Sequence, residues 1–174
     1  MSEQKPQPEF SYEIRPAERA DLDRLVELLL ALQDHLEAAN PDLWRMKEES
    51  RANLKGKIAS RLDAAKSLTL VAEHERDGVV GLISGRIAAN NRYDPPLAGL
   101  VDQAFVREDH RRRAVASRLV AELCRFFADK GVEDLSLRYV VGNEEAAAFW
   151  SALGFAPRIL TAGARRSEIE ARLP

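Results

Sequence analysis

Disulfides are the first thing this sequence cannot build. Cys124 is the only cysteine in 174 residues, so no internal crosslink exists and the residue says little about redox compartment. A basic excess is missing as well: 26 lysines and arginines stand against 28 acidic residues, a formal net charge of −2. General nucleic-acid binders usually carry the opposite balance, so any anion-binding site has to be local. No apolar run approaches the ~20 residues that span a bilayer; the longest, Leu25 to Leu32, is broken by Glu27. The opening MSEQKPQPEF is polar and proline-rich, without the apolar core of a secretory signal. These absences predict a cytoplasmic soluble protein with neither nucleic acid nor membrane as partner. No metal-ligand spacing stands out among three histidines and one cysteine, and no bound metal is expected.

What is present has the length of one domain of about 100–200 residues, large enough to bury a core without staples. Residues 1–9 read as a flexible tail and 10–174 as a single domain. Tyr12 to Arg15 reads as a strand stopped by Pro16. Leucines and Val26 at three- and four-residue spacing from about Ala20 predict a helix, broken at Asn40-Pro41. A weaker helix follows over 47–65. Strands are predicted over 67–75 and 79–87, joined by an Arg76-Asp77-Gly78 turn, with a loop at 90–96 and a further strand over 99–106. Then come a strongly amphipathic helix over 114–130, a strand over 135–141, a helix over 144–153 and a last strand over 155–160. Gly131 and Gly154 stand where those helices end. That order predicts an α/β fold, a mixed sheet with helices on both faces.

The segment richest in chemistry is His110-Arg111-Arg112-Arg113-Ala114-Val115-Ala116-Ser117, between a strand and a long helix. A helix N-terminus already carries about half a positive charge on N–H groups without partners. Acidic or capping side chains belong there, yet three consecutive arginines occupy the approach. Such a conflict marks a functional site, since a phosphate or pyrophosphate would satisfy the amides and the arginines together. The plainer reading is a solvated basic cluster partly offset by Glu108 and Asp109. Small residues from Ala114 to Ser117 would let a ligand approach the backbone, while the glycines of dinucleotide and P-loop fingerprints are absent.

With Arg111, Ala114 and Ala116 in those places, the turn resembles the pyrophosphate loop of the GNAT superfamily of N-acetyltransferases. Asn143-Glu144-Glu145-Ala146-Ala147-Ala148-Phe149-Trp150, followed by Leu153-Gly154-Phe155, is similar to that family's closing motif, and Ile14-Arg15-Pro16 to its opening strand. The resemblance runs in order over residues 12–160. It implies a mostly antiparallel central sheet, helices on both faces, and fourth and fifth strands splayed to admit acetyl-coenzyme A as cosubstrate. It implies that amides from Arg112 through Arg113, Ala114, Val115 and Ala116 to Ser117 hold the pyrophosphate. Phe105 and Val106 would pair with the pantetheine arm through their backbone, Asn143 would hydrogen-bond nearby or simply cap its helix, and Phe149 would pack alongside.

Two positions depart from the pattern. Ala114 replaces a usual glycine and would cost about 1 kcal/mol at positive φ. Trp150 replaces a frequent tyrosine general acid; a thiolate whose acid has a pKa near ~8.5 leaves without much help, so Trp150 reads as a wall of the thioester pocket. An amine of pKa ~10.4 is less than about one part in a thousand neutral at pH 7 and needs a base. The resemblance implies a carboxylate in this stretch, and Asp102, expected on one face with Leu100 and Ala104, is the candidate, or else a surface carboxylate. An N–H near Val106 would meet the oxyanion. Candidate acceptor-lining residues are His35, Asn40, Trp44 and Tyr93, with His35 also readable as solvent-facing and Trp44 as core. The acceptor is an amine, small molecule or peptide, of open identity, and a homodimer stays open. The competing class is a non-catalytic acyl-coenzyme A sensor on the same fold.

Overall fold

The computed structural model describes residues 12–89 and 94–173; the tail assigned to residues 1–9 and the candidate Tyr93 lie outside them. The elements run β1 (Tyr12–Pro16), α1 (Leu22–Ala39), α2 (Pro41–Trp44), α3 (Glu48–Ala52), α4 (Leu54–Leu62), β2 (Ser67–His74), β3 (Gly78–Ala89), β4 (Leu97–Val106), α5 (Val115–Asp129), β5 (Asp134–Leu137), α6 (Glu144–Ala152) and α7 (Arg166–Glu170). Two compact units emerge, one ending at Gly142 and one beginning at Asn143.

The first unit holds a five-stranded sheet in the order β1-β2-β3-β4-β5. The first four strands pair antiparallel, and β5 joins β4 in parallel. The fold is therefore the mixed, mostly antiparallel α/β sheet that the sequence implied. On one face, Leu25, Leu28 and Leu29 of α1 and Leu54 and Ile58 of α4 close over Val71, Val79 and Leu82. These leucines recur at the helical spacing that places them on one stripe. Leu25 is wholly buried, so Leu25→Ala would cost roughly 2–5 kcal/mol.

On the other face, α5 buries Leu119, Leu123 and Phe127. Two glycines make room for Phe127. A Cβ at Gly99 would sit 2.5 Å from Leu135 Cδ2 and 3.1 Å from the Phe127 ring, and one at Gly85 only 2.9 Å from Phe127 Cζ. The absence of side chains there lets the ring rest directly on β3 and β4.

A polar anchor holds the chain between β1 and α1. Arg15 donates from both Nη atoms to Asp21 at 2.8 and 2.9 Å, and the Glu18 amide donates to Asp21 Oδ2 at 2.8 Å. Hydrogen bonding from Arg15 holds the Asp21 carboxyl below the usual carboxylate range, against the opposing cost of burial. Asp21→Ala should destabilise the protein by roughly 2–3 kcal/mol, short of a fully buried pair because Arg15 keeps Glu73 and some solvent. Because the folded pKa is depressed, that contribution is complete above ~3.9 and fades as pH falls through the folded value. Urea titrations at pH 7 and pH 3 should show the gap between variant and wild type narrowing at the acid end.

Three expectations change. The helix over 47–65 is two pieces, α3 and α4, and a short α2 begins at Pro41, with Asn40 Oδ1 accepting from the Leu43 amide. Strand β5 stops at Leu137 rather than Val141. The last strand, 155–160, does not form: those residues are irregular, with Ile159 90 % and Leu160 79 % exposed. Pro157 removes one ladder donor there, and an apolar run without a partner strand has no ladder to join.

Candidate functional site

The strand β4 is built to open on one edge. Ser84 lies opposite Gln103 but Gly85 opposite Val101, which leaves Asp102 as the extra residue of a β-bulge. Bulges bend and twist the strand that carries them. Pairing with β5 covers only Ala98 to Val101, so it ends where the bulge begins. The next five residues of β4 run on without that ladder, the splay expected of the fourth and fifth strands.

The direction of the backbone groups follows. The Arg107 amide donates to the Val80 carbonyl at 2.9 Å, toward β3. Val106, one residue earlier, therefore turns its N–H and C=O to the β5 side, as alternation in an antiparallel pair requires. Arg111 Nε donates to that Val106 carbonyl at 3.0 Å, and the Arg111 guanidinium lies 5.8 Å from the Phe105 ring centre. The Val106 N–H points into the opening.

The turn that follows has unusual backbone. Arg112 and Ala114 have φ of 58° and 59°, left-handed values that cost a side-chain-bearing residue about 1–2 kcal/mol each. Ala114 is the N-cap of α5, and no side chain among the described residues caps it. The first helical bond runs from the Arg118 amide to the Ala114 carbonyl, so the amides of Val115, Ala116 and Ser117 lack helical acceptors. The three arginines divide: Arg111 turns inward to Val106, Arg113 Nη1 lies 3.5 Å from the Tyr12 hydroxyl, and Arg112 is exposed. Val115 is buried, so only its backbone can serve a ligand.

Asp102 is mostly buried, with its side chain 18 % exposed. Arg86 Nε donates to Oδ1 at 3.2 Å, while Oδ2 is buried without a hydrogen bond among the described residues. The bulge corrects one expectation: Ala104 lies opposite Ile83 and not on the face of Asp102, because the extra residue shifts the alternation by one.

Beside Gln103 is a cavity of about 120 Å³ lined by Leu25, Leu29, Leu54, Ile58 and Leu82, with Lys57, Arg61, Thr69 and Gln103 as its polar members. Arg61 Nη1 donates to Gln103 Oε1 at 3.0 Å and lies 3.5 Å from Ser84 Oγ. Both partners are neutral. His35 and Trp44 do not line this cavity: His35 is exposed, and Trp44 is half-buried with its carbonyl accepting from Gln33. Asn40 is a helix cap. The sequence missed Arg61 and Gln103, which come together only once β4 and α4 are packed.

In the second unit, Asn143 Oδ1 accepts from the Ala146 amide at 3.0 Å, which is the capping role, and its Nδ2 remains as a donor. Trp150 is buried edge-on between Phe149 and Phe155, with ring centres 4.9 and 5.4 Å away. Cys124 is half-buried on α5, and burial pushes its thiol up, away from nucleophilic use.

The Acetyltransferase (GNAT) family matches residues 29–155. The chain belongs to the GNAT family. Solved structures agree on the fold. A tetramutant of the BH1408 protein from Bacillus halodurans superposes with a TM-score of 0.79 at 17 % identity, over 88 % of this chain and 99 % of that one. An aminoglycoside N-acetyltransferase solved with CoA, AAC(6')-Iy, gives 0.68 at 18 % identity, over 95 % and 99 %. The 6'-N-acetyltransferase AAC(6')-Ih of Acinetobacter baumannii gives 0.70 at 17 %, over 89 % and 99 %. No curated protein matches the chain in sequence. No helix among the described residues is long and apolar enough to cross a membrane.

Proposed function

We propose that this GNAT protein is an acetyl-coenzyme A-dependent N-acetyltransferase in which the amine attacks the thioester directly. The observation that carries the reading is the pairing of an open β4 edge with an uncapped α5 N-terminus. The opening suits an extended pantetheine arm, and the amides of Val115, Ala116 and Ser117 suit a pyrophosphate. On this reading the Val106 N–H receives the arm or the oxyanion, Arg111 holds the end of β4 in place, and Asp102 takes the amine proton. The roles of Asn143 and Phe149 toward the coenzyme rest on the family pattern. Trp150 has no proton to give, and the thiolate leaves with solvent help.

The acceptor reading follows from the cavity beside Gln103. Its walls are apolar, and its charged members, Lys57 and Arg61, are both cations. Among the described residues, Arg61 meets two neutral acceptors there. Such a pocket repels polycations like the aminoglycosides of its structural neighbours and suits a small amine that carries a carboxylate and a short apolar group. Thioester cleavage with an amine panel is the test. Apolar amino acids or short peptides should exceed their carboxamides by about 10-fold or more in kcat/KM, the worth of one charge-assisted hydrogen bond. Arg61→Leu should erase that preference while leaving the carboxamide rate in place. Equal rates for acid and amide, or a preference for aminoglycosides, would overturn the assignment. Coenzyme binding with no turnover on any amine would make the protein a sensor.

A further inference from the structure

Two histidines that look scattered in the sequence meet in the fold. His74 closes β2, His110 ends the short helical turn of residues 108–110 after β4, and their ring centres are 4.9 Å apart. Both are buried, at 4 % and 3 % exposure. Between them stands Asp77 of the β2–β3 turn. His74 Nδ1 is 2.8 Å and His110 Nε2 is 3.3 Å from Asp77 Oδ2, and the three ligand atoms all lie within 4.8 Å of one another.

We propose that His74 Nδ1, His110 Nε2 and Asp77 Oδ2 form a binding site for a divalent transition-metal cation of the zinc class, with water completing the shell. A tetrahedral shell with bonds of ~2.0–2.1 Å sets its ligand atoms roughly 3.3 Å apart, and two of the three edges, 2.8 and 3.3 Å, come within about half an ångström of that. Two imidazoles and one carboxylate select zinc, nickel or copper over magnesium and calcium, which take oxygen ligands.

The hydrogen bonds point the same way. The Asp77 amide donates to His74 Nδ1 at 3.3 Å. A backbone N–H can only donate, so this contact is made when that nitrogen carries its lone pair toward the turn. The same nitrogen lies 2.8 Å from Asp77 Oδ2, a contact that asks for a positive charge between the two, supplied by a proton on Nδ1 or by a metal ion. His110 Nδ1 lies 3.0 Å from the Tyr12 hydroxyl. With its hydrogen there, donated to the phenol oxygen, Nε2 offers its lone pair to the site, the usual outer-shell arrangement of a metal-bound histidine.

A cavity of about 340 Å³ bordered by these three residues with Arg76, Asp109 and Arg113 admits the ion. The arginines oppose a cation held by charge alone: Asp109 is paired with Arg107 at 2.6 Å, which leaves Asp77 as the carboxylate at the centre of the site, and Arg113 Nη1 is 3.5 Å from the Tyr12 hydroxyl. Direct lone-pair ligation is what such a site demands. Bound metal would tie the β2–β3 turn to the segment leading into the Arg112–Ala114 turn, with Tyr12 of β1 as support.

The test titrates the chelator-treated full chain with zinc alone by calorimetry, and with cobalt to read the visible ligand-field absorption of a tetrahedral site. One ion per chain and a raised Tm are expected. Asp77 is exposed, so Asp77→Ala should keep its circular dichroism while weakening zinc more than ~100-fold; even outer-shell losses cost ~10–100-fold. Tyr12→Phe should weaken zinc about 10-fold. Excess magnesium should not compete. No saturable zinc binding, or binding undiminished in Asp77→Ala, would overturn the site. Neither result bears on acetyl transfer, which is measured separately.

Discussion

Ala116→Asp should abolish the thermal stabilisation that coenzyme A gives the wild-type protein. Ala116 is the second residue of α5 and half-buried, and its amide is among those with no helical acceptor. A carboxylate there would place its charge and bulk where the pyrophosphate is proposed to lie. The same substitution favours the helix itself, because an acid in the first turn complements the macrodipole by about 0.3–1 kcal/mol. The variant should thus be at least as stable as wild type without ligand, which separates lost binding from lost folding. Wild type at 100 times its dissociation constant gains about 2.7 kcal/mol, or roughly 5–10 °C for a domain of this size. Pantetheine, which lacks the pyrophosphate, should give much less at equal concentration. An equal coenzyme A shift in both proteins would remove the turn from the binding site.

What the sequence made legible was periodic or local. The leucines of α1 and the apolar face of α5 recur at helical spacing, and both helices stand within two residues of where that pattern put them. The conflict of three arginines with a helix N-terminus was visible because charge and capping rules are local. The left-handed backbone at Ala114 could be framed only as a condition, and the structure fills it.

What stayed hidden depends on partners distant in the chain. No spacing rule announces that Asp102 is a bulge residue, since a bulge is defined only against Ser84 and Gly85 of the neighbouring strand. Arg61 reads as one more helix-surface cation until Gln103 is placed beside it. His74 and His110 meet only because β2, β3 and β4 are laid antiparallel in this register. Residues 155–160 failed in the opposite sense: their apolar composition satisfies a strand pattern, but a strand exists only where a ladder is on offer.

Asp102→Asn should lower kcat by about 10²-fold or more while leaving acetyl-coenzyme A affinity nearly unchanged. The carboxylate sits at the bulge where β4 parts from β5, and its Oδ2 is buried with no hydrogen bond among the described residues. Leaving such an oxygen unpaired costs free energy, a cost expected where an oxygen is reserved for a substrate proton. General-base catalysis is worth ~10²–10⁴, and asparagine keeps the shape while losing the ability to accept that proton. The loss should be largest near pH 7, where an alkylamine is almost wholly protonated, and shrink toward pH 9 as the neutral amine accumulates. The competing account makes Asp102 a structural partner of Arg86, 48 % exposed and 3.2 Å away. Arg86→Met separates the two, because it breaks the same ion pair and keeps the carboxylate. If Asp102 is the base, Arg86→Met retains most of its turnover and Asp102→Asn does not. If the two variants lose turnover equally, or if Asp102→Asn turns over normally from pH 6 to 9, the proton goes elsewhere.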